Sequence, residues 1–136
     1  MSPTEQSTLI EHARLARGFA KAKYSGFAVG AALKTTDGRI FTGCNVESSS
    51  YGLSICAERV ALTKALSEGA DSFTEIAIVA DSAQPVSPCG ACRQLLHDYA
   101  PNAVIVMANL HGDFKQSGVA ELLPSAFDET YLKPQQ

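Results

Sequence analysis

Three cysteines stand at the starts of two helix-like segments, and no other feature of this 136-residue chain restricts its fold as tightly. Cys56 opens residues 56–68, along which Val60, Ala61 and Ala65 recur at helical spacing before Gly69 supplies a stop. Cys89 and Cys92 open residues 89–99, a second predicted helix preceded by Ser87-Pro88 and closed ahead of Pro101. Three residues apart on a helix, these two can turn both sulfurs to one side of its first turn. A fold in which Cys56 joins them sets two helix N-termini face to face, where backbone N–H dipoles favour negative charge.

The remaining pattern supplies a frame for that meeting. Residues 4–23 read as a helix, with Leu9, Ile10, Ala13, Ala16 and Ala20 at three- to four-residue spacing, Ser2 or Thr4 as its cap and Gly26 as its stop. Residues 27–35 and 39–46 are apolar stretches around Asp37-Gly38, a dipeptide that tolerates the positive φ of a hairpin turn. Residues 75–81 are rich in Ile, Val and Ala, as a strand covered on both faces requires. Residues 103–109 predict a fourth strand, residues 114–117 a fifth after Gly112-Asp113, and residues 119–123 a short helix stopped by Pro124. The order α-β-β-α-β-α-β-β-α predicts one α/β domain over residues 1–136: a three-layer α/β/α sandwich around a mixed five-stranded sheet. Periodicity alone leaves the strand order open.

Composition excludes several classes. Apolar residues make up 46% of the chain and charged residues 18%, which is incompatible with general disorder. Eleven Lys and Arg against fourteen Asp and Glu leave a net charge of −3, giving no basic footprint for nucleic acid or an anionic membrane. No apolar run reaches the ~20 residues of a membrane span, and Met1-Ser2-Pro3-Thr4-Glu5 lacks the pattern of a signal peptide, so a cytoplasmic location is expected. Four cysteines are too few for a disulfide scaffold and point to metal or redox chemistry.

Soft thiolates select zinc over magnesium, calcium or manganese. Three of them leave the fourth tetrahedral position open, as catalytic rather than structural zinc sites do. Taken alone, Cys89-x-x-Cys92 fits structural zinc or a redox pair equally well. A redox pair needs neither a third cysteine nor an adjacent glutamate, and a structural site needs a fourth ligand that no second Cys-x-x-Cys or histidine cluster offers. Glu58, two residues past Cys56, is spaced to reach water at the fourth position without occupying it. Arg59 can offset the excess charge of three thiolates by hydrogen-bonding a sulfur. Cys44 reads as a small core residue or a backbone contact rather than a ligand, and His12, His97 and His111 as surface histidines.

Together these residues resemble the small, zinc-dependent, homotetrameric cytidine deaminases, a branch of the zinc deaminases that pair the metal with a non-ligand glutamate. The resemblance covers nearly the whole chain: Tyr24-Ser25-Gly26-Phe27, Val29-Gly30-Ala31-Ala32-Leu33, Asp37-Gly38-Arg39-Ile40-Phe41, Gly43-Cys44-Asn45-Val46-Glu47, Cys56-Ala57-Glu58-Arg59, Ser87-Pro88-Cys89-Gly90-Ala91-Cys92-Arg93-Gln94 and the segment ending at Phe127. It implies one Zn²⁺ per subunit on Cys56, Cys89 and Cys92, with Glu58 moving protons. It further implies Asn45 and Glu47 on the sugar hydroxyls, Phe27 beside the base, and backbone groups near Ala57 and Ser87 on the reacting end. Phe127, Tyr51 and the Ser48-Ser49-Ser50 loop would reach a neighbouring subunit's site. The implied activity is hydrolytic deamination of cytidine and 2′-deoxycytidine in pyrimidine salvage, on a small nucleoside and with no nucleic-acid or membrane partner. A deaminase of a blasticidin-type aminopyrimidine drug is the alternative, but it should lack Asn45-Val46-Glu47 together with Phe127. Two departures stand out: Lys23 where many relatives carry proline, and Ser48-Ser49 in place of a commoner Asn-Ala.

Overall fold

The computed structural model describes residues 3–132, so Ser2, one of the two expected caps, lies outside the described residues. The first helix, α1 (Pro3–Arg17), starts one residue ahead of Thr4, which therefore sits inside it rather than capping it. It also ends at Arg17, short of the expected residue 23. After Arg17 the N–H groups of Gly18, Phe19 and Ala20 turn back to carbonyls three residues earlier, at 3.1, 3.0 and 3.1 Å. Lys21 then pairs with another part of the chain, its N–H 2.9 Å from the Asn45 carbonyl and its carbonyl 3.0 Å from the Glu47 N–H. Cross-chain pairing thus overrides an apolar spacing that would have carried the helix on through Ala20. Gly26, at φ 70°, closes the later turn that leads to Phe27.

The other elements fall within about two residues of expectation. β1 (Val29–Thr35) and β2 (Ile40–Cys44) form the hairpin, with Lys34 opposite Ile40 and Gly38 at φ 93° in the turn. Then come α2 (Ala57–Ser67), β3 (Phe73–Ala80), α3 (Gly90–Tyr99), β4 (Val104–Asn109), β5 (Phe114–Gly118) and α4 (Val119–Leu122). Short 3-10 turns at Tyr51–Leu53 and Glu129–Leu132 had no sequence signal.

The five strands run in the order β2-β1-β3-β4-β5. Only β3 and β4 are parallel, joined through α3, and every other neighbouring pair is antiparallel. Successive residues of a strand face opposite sides, and both sides are covered here. Ile76 and Ile78 of β3, with Ile105 and Met107 of β4, join Leu62 and Leu96 in a core beneath α2 and α3. Ala77 and Val79, with Val106 and Ala108, meet Leu9 and Ala13 of α1 on the other side. Each fully buried Leu or Ile contributes about 1.5–3 kcal/mol. The result is the expected three-layer α/β/α sandwich around a mixed five-stranded sheet.

Close backbone approach fixes where α2 begins. A Cβ built on Gly43 of β2 would lie 2.5 Å from the Ala57 carbonyl oxygen and 2.6 Å from the Ala61 nitrogen. Glycine there lets the first turn of α2 rest directly on the strand, which sets Cys56 and Glu58 against the sheet. Gly30 does the same for α1, where a Cβ would lie 2.0 Å from the Ala13 carbonyl oxygen.

Candidate active site

Cys56 and Cys89 occupy the N-cap positions of α2 and α3 in extended backbone conformation. Each accepts the first helical bond on its carbonyl, from Val60 at 3.1 Å and Arg93 at 2.9 Å. Neither side chain folds back to cap its helix, as Ser or Asp would. The sulfurs face one another instead. Cys56 Sγ lies 3.7 Å from Cys89 Sγ, which lies 3.4 Å from Cys92 Sγ, and all three atoms fall within 4.8 Å of one another.

This donor set fits zinc. A tetrahedral ion with Zn–S bonds of ~2.3 Å needs sulfurs about 3.8 Å apart, and soft thiolates are its preferred partners. No fourth His, Cys, Asp or Glu joins the cluster among the described residues, so one coordination position stays free of protein. Cys44 is half-buried and stands outside it.

The electrostatics suit a cation. Hydrogen bonding from Cys92, then from Arg59 and Cys89, lowers the Cys56 thiol to about 5. The same bond with Cys56, together with burial and the nearby Glu58 carboxylate, pushes the Cys92 thiol up. Cys56 thus gives up its proton readily while Cys92 holds its own more firmly. Arg59 Nη2 reaches Cys56 Sγ at 3.9 Å and the Ser54 carbonyl at 3.3 Å, consistent with its expected contact to a sulfur. Glu58, only 5% exposed, sits one residue inside α2. Burial lifts its carboxyl above the ordinary carboxylate range, opposed by its own backbone N–H, the Cys92 thiol and Arg59.

A cavity of about 280 Å³ opens beside the thiols, near the lower end of the ~300–1,000 Å³ typical of small-molecule sites. Phe27, Asn45, Glu47, Ala57, Glu58 and Ser87 all line it, as do Cys56 and Cys89. Ser25, Val29, Ile78 and Val86 line it too, though the sequence reading did not assign them to the site. Ser25 carried a signal, since it stands two residues before Phe27 in the Tyr24-Ser25-Gly26-Phe27 element. Ile78 reads as part of a strand covered on both faces, and Val86 lies between predicted elements.

Asn45 and Glu47 hold the cavity wall as well as facing into it. The Asn45 amide accepts from the Val29 N–H at 2.9 Å and donates to the Phe27 carbonyl at 2.9 Å. Glu47 accepts from the N–H groups of Tyr24 and Ser25, at 3.0 and 2.9 Å, and from the Ser25 hydroxyl. Those bonds, led by the Ser25 hydroxyl, keep its carboxyl below the usual carboxylate range. A carboxylate and an amide two residues apart therefore share one wall.

Tyr51 and Phe127 do not line their own chain's cavity. Tyr51 is 81% exposed, and Phe127 is 57% exposed with its ring stacked on Tyr131 at 5.4 Å. His97 proves to be more than a surface histidine: it is half-buried, with Nε2 3.0 Å from Asp128 Oδ2. His12 is half-buried as well, while His111 is exposed. A wider hollow of about 910 Å³ lies between α3 and the C-terminal segment, but none of the cluster thiols nor Glu58 lines it. The smaller cavity is the one that Cys56, Cys89 and Glu58 line.

Comparison with known proteins places the chain among deaminases. Residues 3–108 match the family profile of the cytidine and deoxycytidylate deaminase zinc-binding region. A cytidine deaminase of Sporosarcina psychrophila is 48% identical over 125 residues, covering 91% of this chain and 92% of that protein. The crystal structure of cytidine deaminase from Burkholderia pseudomallei superposes with a TM-score of 0.88 at 47% identity, covering 93% of this chain and all of that one. A blasticidin-S deaminase of Bacillus cereus is more distant, 35% identical over 104 residues and 71% of this chain.

Proposed function

Because the chain belongs to the cytidine and deoxycytidylate deaminase family, we propose that it hydrolyses cytidine and 2′-deoxycytidine to uridine and 2′-deoxyuridine, releasing ammonia. The observation that carries this reading is the buried Glu58 beside three converged thiols, at the floor of a cavity that Phe27, Asn45 and Glu47 also line. The more distant match to a drug deaminase supports the alternative substrate less well.

Cys56, Cys89 and Cys92 would hold the zinc ion. Bound there, it supplies the Lewis acidity that brings the pKa of water toward neutrality. Glu58 takes the proton from the attacking water and delivers it to N3 of the pyrimidine, which makes C4 electrophilic. The water oxygen bonds to C4. Glu58 then carries the second water proton to the exocyclic amino group, the C4–N bond breaks as the C4 carbonyl forms, and N3 keeps its proton in the uracil product. Water plus cytidine thus balances uridine plus ammonia. Backbone groups at Ala57 and Ser87 hold the reacting end, Phe27 flanks the base, and Asn45 and Glu47 receive the sugar hydroxyls. Arg59 restrains the charge of the thiolate cluster.

We further infer a single-domain subunit of a cytoplasmic homotetramer acting in pyrimidine salvage, in which Phe127, Tyr51 and residues 48–50 complete a neighbour's site. Large apolar side chains left exposed on the single chain, Leu15, Phe19, Tyr51 and Leu53 among them, support association. No helix among the described residues is long and apolar enough to cross a membrane.

The direct test is the fall in cytidine ultraviolet absorbance with purified protein before and after chelation. Ammonia and uridine in equal amounts, lost on zinc removal and regained on zinc addition, are expected. Stoichiometric zinc with no ammonia would refute the reading.

A further inference from the structure

Arg93 and Gln94 directly follow the last cysteine of the cluster, and the chemistry above uses neither. Yet the Arg93 guanidinium meets three separate partners. Nε donates to the Pro88 carbonyl at 2.7 Å, Nη2 to the Ser87 hydroxyl at 2.9 Å, and Nη1 to the Leu122 carbonyl at 2.9 Å. The peptide that carries the Pro88 carbonyl is planar and ends at Cys89, so fixing that oxygen fixes the orientation in which Cys89 starts α3. Leu122 is the last residue of α4, after which the chain turns through Ser125 at φ 57° and arrives at Phe127. There Gln94 Nε2 donates to the Phe127 carbonyl at 2.8 Å, and His97 meets Asp128 one residue further on.

We propose that Arg93 is a positioning residue that locks the 87–89 loop and the 122–127 segment to α3 together, so that one side chain sets both the Cys89 thiol and the direction in which Phe127 is presented. The second half rests on the reading of Phe127 as a contributor to a neighbour's site. The geometry demands a guanidinium. Its donors sit in a rigid fork that can serve three divergent oxygens, whereas a lysine ammonium is a single flexible point charge.

The test compares Arg93→Lys and Arg93→Met with the parent protein. Zinc release to a chelator and amide hydrogen exchange over residues 122–128 are measured first, since neither needs turnover. Both variants should release zinc about tenfold faster or more, the scale seen when groups that orient metal ligands are removed. They should also lose protection at 122–128 while α1 and β1 keep theirs. Unchanged release and unchanged exchange would overturn the proposal. With cytidine, Arg93→Met should raise KM, and by no further factor in a Phe127→Ala background, because interacting residues are not additive. KM effects that simply multiply would overturn the link to Phe127. Should the Met variant fail to fold, the Lys variant carries every arm. A protein inactive on cytidine would leave the zinc and exchange arms readable, which separates this proposal from the substrate reading.

Discussion

The environment of Glu58 suits the role proposed for it. Burial raises its proton affinity, and the thiolate charge of Cys56 acts in the same direction. A carboxylate that binds its proton more firmly is a better acceptor at neutral pH, where general acid–base catalysis contributes about 10²–10⁴-fold. Glu58→Gln keeps the shape and leaves the three thiols in place. It should lose at least about 10²-fold in kcat while metal analysis still finds zinc bound. Near-normal turnover in that variant would remove Glu58 from the mechanism. At this scale the chain was readable in advance wherever chemistry constrains residue type: three thiols, an acid two residues past one of them, an arginine next to that. Arg93 and Gln94 were not readable, because an arginine near a helix start looks like any solvated charge until its three acceptors converge from distant parts of the chain.

Among the elements, α2 owes its placement to a missing methyl group. A side chain at Gly43 would press on backbone atoms of Ala57 and Ala61, which cannot swing aside as a flexible side chain can. Gly43→Ala should destabilise the fold by about 1–3 kcal/mol in denaturant unfolding and weaken zinc binding, because the start of α2 must lift from β2. Unaltered stability would show that the helix yields freely. The C-terminal clamp on α3 predicts a pH effect of definite sign. Bonds from Thr130, then His97, hold the Asp128 carboxyl at about 2, below its unfolded value near 3.9. Its contribution is therefore present above about pH 4 and disappears as pH falls toward 2, since the unfolded chain binds the proton first. Hydrogen exchange in residues 122–132 should rise across that window, and Asp128→Asn should abolish the dependence. The expected limits of α2, α3 and the hairpin held because Cys56, Cys89, Gly38 and Gly69 mark them locally. The end of α1 did not, because Lys21 answers to Asn45 and Glu47, partners that no short window contains. Strand order was hidden for a related reason: β1, β3 and β4 are buried on both faces, so their patterns do not distinguish neighbours.

For the whole molecule, the layers divide the labour. The thiol cluster and Glu58 belong to α2 and α3 on one side of the sheet, and α1 seals the other side. Phe127 sits away from its own chain's cavity, which makes the proposed assembly testable by complementation. Glu58→Gln and Phe127→Ala subunits, poorly active when purified separately at low cytidine, should regain activity when co-expressed, as some sites then combine an intact Glu58 with an intact Phe127. Activity equal to the average of the two separate variants would confine Phe127 to its own subunit. The bare N-caps of α2 and α3 carry a last implication, for handling. With neither N-cap side chain bonded back to its helix, a metal on the thiols would tie the two ends together, so its affinity would add to the free energy of folding. A preparation stripped by chelating buffer would thus be a frailer polymer as well as an idle catalyst, and shelf life should track metal content.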